Sequence, residues 1–79
     1  YPNPFNPITT ISYSIPKSDN VEISIYNIDG TLEDQLYNGY QTVGNYNYNW
    51  DAGLKSSGIY IVKIRFGDRI KTQKVLLLK

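Results

Sequence analysis

The chain contains no cysteine and no histidine, and these two absences exclude most chemistry at once. No disulfide can staple the fold. No Ser-His-Asp or Cys-His arrangement can form, and neither can a zinc site built on His or Cys. Methionine is absent too, so no initiator residue opens the chain. No stretch approaches the roughly 20 apolar residues of a membrane-spanning helix. With no secretory leader at its start, the sequence reads as a segment of a larger protein. The six glycines are scattered about one per turn, which leaves no phosphate-cradling loop. Of only four prolines, three fall in Tyr1-Pro2-Asn3-Pro4-Phe5-Asn6-Pro7. Proline fixes φ and cannot donate to a sheet ladder, and it drives the preceding residue toward extended geometry. Residues 1–7 therefore read as a stiff lead-in, ahead of one domain over residues 8–79.

What is present is aromatic and β-branched. A domain of 79 residues is marginal, because a chain of about 60 residues buries only about 60% of its unfolded surface. Without disulfides or metal, packing must supply the stability, and the chain carries eight Tyr, two Phe and one Trp.

Alternation with period two dominates and no segment shows a helical period. Ile11, Tyr13 and Ile15 share one face, and so do Val21, Ile23 and Ile25 of the next stretch. Asn27-Ile28-Asp29-Gly30 is a turn signal. Thr31 to Tyr37 reads as a weaker strand closed by a turn at Asn38-Gly39. In Asn45 to Asp51, Tyr46, Tyr48 and Trp50 occupy one face and three Asn the other. Ala52 to Ser57 is a loop. Gly58 to Phe66 and Arg69 to Leu78 form a last hairpin across Gly67-Asp68, where glycine at the first loop position suits a type II′ turn. Tyr60, Val62, Ile64 and Phe66 should point inward, with Lys63 and Arg65 outward. Six or seven short strands with turns every 8–12 residues argue for an antiparallel β-sandwich.

Charge is divided along the chain. Residues 1–54 carry one lysine against six carboxylates, and residues 55–79 carry seven cations against one. A basic face for an anionic partner is one reading. Acidic early strands pairing with basic late strands in one sheet is the other, and the alternation of cations with apolar residues favours it. The remaining acidic candidates for catalysis are Glu33, Asp34 and Asp51. Adjacent residues of a regular strand point to opposite faces, so Glu33 and Asp34 cannot line one cleft if that strand is regular. Asp51, after Trp50 at a strand end, reads as a loop cap. An aromatic face of Tyr46, Tyr48 and Trp50 would suit sugar or base stacking, but a small domain needs such residues in its core. The cations of 63–74 are not interleaved with aromatics beyond Phe66, which argues against nucleic acid.

Two motifs remain. Ser57-Gly58-Ile59-Tyr60 places glycine just before a strand and Tyr two residues on. That pattern resembles the corner of immunoglobulin-like sandwiches, where a buried Tyr hydroxyl ties back to backbone just upstream. Lys74-Val75-Leu76-Leu77-Leu78-Lys79 is an apolar strand bracketed by lysines, which act as gatekeepers against aggregation. It reads as a strand buried on both faces or at the sandwich seam, or as one that another protein captures by pairing.

In order and spacing these pieces resemble the C-terminal sorting domain of proteins exported by the type IX secretion system of Gram-negative bacteria. Pro2 to Pro7, Val21 to Gly30, Gly44-x-Tyr46, Trp50-Asp51, Ser57 to Tyr60 and Lys74 to Lys79 carry the resemblance. It implies an all-β, immunoglobulin-like sandwich of about seven strands, one sorting domain over 1–79, no catalysis and no cofactor. It also implies a cargo attached at the N-terminal side. An outer-membrane translocon would recognise the domain, and a sortase-like peptidase would remove it at the cell surface. Neither nucleic acid nor a small-molecule substrate is expected as a partner. By the same resemblance Gly58, Tyr60, Lys74, Val75, Leu76, Leu77, Leu78 and Lys79 serve translocon recognition. Two other readings are an immunoglobulin-like adhesion or carbohydrate-binding module, and an assembly domain similar to that of the flagellar hook-capping protein. The Glu33-Asp34-Gln35 stretch departs from the more apolar middle of that family and suits a charged edge strand.

Overall fold

Ile11, Tyr13 and Ile15 alternate with Thr10, Ser12 and Ser14, and this stretch is the first of six strands in a computed structural model that describes residues 8–78. The strands are β1 (Ile8–Ile15), β2 (Asp19–Asn27), β3 (Leu32–Gln41), β4 (Gly44–Asp51), β5 (Gly58–Phe66) and β6 (Arg69–Leu77). The Pro/Asn lead-in of residues 1–7 and the terminal Lys79 lie outside the described residues. All neighbouring strands are antiparallel, in one sheet of order β1-β4 and another of order β3-β2-β5-β6. That order is the immunoglobulin arrangement in which strands B and E face C′-C-F-G. Six strands stand where about seven were expected, with no counterpart of strands A and D among the described residues.

The inward faces meet in one core. Ile11, Tyr13 and Ile15 from β1, Val21, Ile23 and Ile25 from β2, and Tyr60, Val62, Ile64 and Phe66 from β5 are all buried, as their alternation requires. Trp50 and Ala52 join them from β4 and the loop that follows. Tyr46 and Tyr48 pack half-buried against this cluster, so the aromatic face of β4 is core rather than an open stacking platform. Tyr13 stacks on Tyr46 at 5.6 Å and donates to Gln41 at 2.9 Å; burial pushes its phenol above the ordinary value. The outer face of the same ribbon is closed differently. Thr10, Ser12 and Ser14 donate to Asn49, Asn47 and Asn45 across the β1-β4 pair, at 2.7–2.9 Å.

Strand β3 departs from the sequence reading twice. The chain does not turn at Asn38-Gly39. The strand runs on to Gln41, because β2 extends to Asp19 and offers ladder partners to Asn38, Gly39 and Tyr40. Gly39 lies beneath the Tyr37 ring, where a Cβ would stand 3.1 Å from the Tyr37 hydroxyl. Nor is β3 regular. Its register against β2 shifts between Ile23 and Ser24 and again between Ile25 and Tyr26, skipping Leu36 and Glu33. A bulge places two consecutive residues against one, so side chains that would alternate share a side. Leu36 and Tyr37 accordingly both pack on the core.

At the β5-β6 turn Gly67 has φ +62°, while no non-glycine residue has positive φ among the described residues. Positive φ at the first loop position alone is the type II′ pattern. The divided charge is used within the sheet, where Arg65 on β5 stands opposite Glu22 on β2 and donates to it at 2.8 Å. The Arg65 hydrogen bond holds the Glu22 carboxyl below its ordinary value.

Candidate functional site

The β4-β5 corner is built on Gly58 and Tyr60. Gly58 opens β5 with φ +155°, a backbone that side-chain-bearing residues rarely adopt, and no heavy atom crowds the position of its missing Cβ. Tyr60, buried two residues on, sends its hydroxyl back to the Ser56 carbonyl at 2.7 Å. Its ring meets the edge of Trp50 at 5.4 Å and 68°. This is the tyrosine corner expected from Ser57-Gly58-Ile59-Tyr60, at the E–F position where that motif belongs. Tyr60→Phe should lower stability by about 1–2 kcal/mol by leaving the Ser56 carbonyl short of a partner. Urea unfolding of the purified domain measures it; an unchanged midpoint would remove the corner from the list of fold determinants. Gly58→Ala should cost about 1–3 kcal/mol through backbone strain alone, read from the same titration.

The loop between the corner's strands is pinned from beneath. Asp51 Oδ1 accepts from Gly53 N at 3.0 Å, the loop-capping role expected of it. Lys55 N donates to the Ala52 carbonyl at 3.0 Å. Lys55 Nζ reaches the Glu33 carboxylate at 3.1 Å and stands 3.8 Å from Asp34, while Trp50 Nε1 donates to Asp34 at 2.9 Å. The hydrogen bond to Glu33 raises the Lys55 ammonium above its ordinary value. Glu33 and Asp34 thus face one lysine together, because the bulge at Glu33 breaks the alternation that would have separated them. The lysine offsets one of their two charges, and no cluster of potential metal ligands occurs among the described residues.

The apolar terminal stretch is not buried on both faces. Among the described residues β6 is the edge of the four-stranded sheet, paired only with β5. Gln73, Val75 and Leu77 face the β1-β4 ribbon, to which Gln73 Nε2 donates at the Ser12 carbonyl at 3.0 Å, and Lys74 and Leu76 alternate to the outer face. Within Lys74–Leu78, Leu77 is buried opposite Gly58 and Val75 is half-buried opposite Tyr60. Lys74 is exposed, as are Leu76 and Leu78 at 62% and 71%. The expected recognition residues therefore divide into two groups. Gly58, Tyr60, Val75 and Leu77 hold the β5-β6 edge together, and Lys74, Leu76 and Leu78 stand in water. Lys55 had no place among the expected site residues, and Glu33 and Asp34 entered only as acidic candidates set on opposite faces. The signal available was Glu33-Asp34 beside a lysine in the one long loop, readable only with the bulge known.

A family model described as a secretion system C-terminal sorting domain matches residues 1–78. No curated protein and no solved structure matches the chain.

Proposed function

Since the chain belongs to the family of secretion system C-terminal sorting domains, a family of sorting signals rather than of enzymes, we propose that it routes an N-terminally attached cargo through the type IX outer-membrane translocon. The domain marks that cargo for the cell surface or the medium. In this reading the translocon binds the folded sandwich, and a sortase-like peptidase then cuts between cargo and domain. The family match over nearly the whole chain carries the proposal. Two structural features support it. Among the described residues β6 ends its sheet with one edge unpaired, the element that strand addition uses. Leu76 and Leu78 project into water beside it, where a monomeric domain gains nothing from them.

The test is a fusion. Residues 1–79 placed behind a reporter with a periplasmic leader, in a host with this secretion system, should bring the reporter to the surface, read by protease accessibility on intact cells. A reporter that stays periplasmic while the domain is folded sinks the proposal.

A further inference from the structure

Among the described residues nine large apolar side chains remain exposed on the sandwich, and six of them gather at one end: Ile8, Ile28, Leu32, Leu54, Leu76 and Leu78. Strand direction puts them there. β1 begins at this end, β6 finishes at it, and the β2-β3 turn and β4-β5 loop cap it. The contacts agree. Lys55, next to Leu54, bonds to Glu33, next to Leu32. Ile8 is paired with Asp51, and Gly58 with Leu77.

Leu54 is fully exposed, at 100%. Its loop is nevertheless fixed by the Asp51 cap, the Lys55–Ala52 turn and the Lys55–Glu33 ion pair. A leucine held in water on an ordered loop is a preorganised anchor, since little ordering entropy remains to be lost on binding. Ile28, 66% exposed, sits on an equally fixed turn, where the Asn27 side chain accepts from Asp29 N and Thr31 N. The charges at this end are mostly acidic. Asp29 and Asp51 are exposed and Asp34 half-exposed, beside a shallow cleft of about 510 Å³ lined by Asp34, Asp51, Gly53, Leu54 and Lys55. Elsewhere the surface is of another kind. The outer face of β1-β4 satisfies itself with Ser/Thr–Asn pairs, and the opposite end mixes Lys17, Arg69 and Lys71 with Asp19 and Asp68.

We propose that this apolar end, with Leu54 and Ile28 as loop-borne anchors, enters an apolar pocket with a basic rim on the outer-membrane sorting receptor. The proposal rests on the sorting reading and extends it. Recognition then spans the terminal strand and two loops distant from it in sequence, in one patch continuous with Leu76 and Leu78. The cargo is the rival occupant, because the chain enters the domain at Ile8 on the same end.

The test uses the complete cargo-bearing protein in its secreting host. Leu54→Asp and Ile28→Asp should each cut the surface fraction about tenfold or more, the loss expected of an interface anchor. The melting curve of the purified protein should not move, because neither side chain is buried. Val43→Asp, at the opposite end, should export within about twofold of the parent. A photo-cross-linker at position 54 should capture an outer-membrane protein. A cross-link to the cargo instead overturns the proposal, and so does normal export of both anchor variants. Deleting residues 1–79 separates the two readings. If that deletion leaves export intact, the sorting function itself falls and this surface with it. If it blocks export while both anchor variants pass, only the surface falls.

Discussion

Trp50→Ala should unfold the domain or bring it to the edge of unfolding at 37 °C. Among the described residues Trp50 is the largest fully buried side chain, 1% exposed, on a ribbon with no third strand to compensate. Truncating a buried aromatic to alanine costs about 3–5 kcal/mol in transfer and cavity terms. A chain of this length holds only about 4–12 kcal/mol in total at the usual 0.05–0.15 kcal/mol per residue. The loss also removes the edge contact with Tyr60 and the indole N–H donated to Asp34. The melting temperature should fall by about 15 °C or more, followed by far-UV circular dichroism because the variant has no tryptophan. Trp50→Phe keeps most of the burial and loses the N–H, so it should fall between parent and alanine. A shift below about 5 °C for Trp50→Ala would mean that the two sheets are held by something other than this side chain.

The inward faces of β1, β2 and β5 were legible because period-two alternation and burial express the same constraint: one side of each strand must leave water. The corner was legible because Gly58 and Tyr60 lie two residues apart, so a local motif reports a local geometry. β3 was not legible. Its bulges at Glu33 and Leu36 answer to the partner strand and the core, and propensity along the chain does not encode which residue is skipped. Asn38-Gly39 carries the composition of a turn but stays in the ladder, since β2 is long enough to pair with it. The Ser/Thr–Asn ladder was half legible. The alternation placed three Asn on one face, but β1 and β4 are separated by two other strands, and sequence alone does not say which pair meets. For the candidate site, the residues were legible and their division was not. Whether a leucine of the terminal strand is buried depends on which face of β6 meets the β1-β4 ribbon, and three consecutive leucines carry no alternation that would show it.

Deleting Val75 to Lys79 from the cargo-bearing protein should abolish surface delivery. Two causes are joined in that outcome, and the structure allows them to be separated. The deletion removes Leu77 from the core and the ladder partners of Gly58, Ile59 and Tyr60, so it weakens the fold itself. Leu77→Ala isolates this part and should cost about 2–5 kcal/mol, with a matching drop in melting temperature. Leu76→Ser combined with Leu78→Ser isolates the other part. Both side chains are more than half exposed, so stability should stay within about 0.5 kcal/mol of the parent. If the terminal strand is read by direct contact, this folded double variant accumulates in the periplasm. If it exports normally while Leu77→Ala fails in proportion to its lost stability, the terminal residues serve export only by closing the β5-β6 edge. Recognition would then lie on other parts of the sandwich. The two outcomes differ in one comparison, export against melting temperature, across three variants of the same strand.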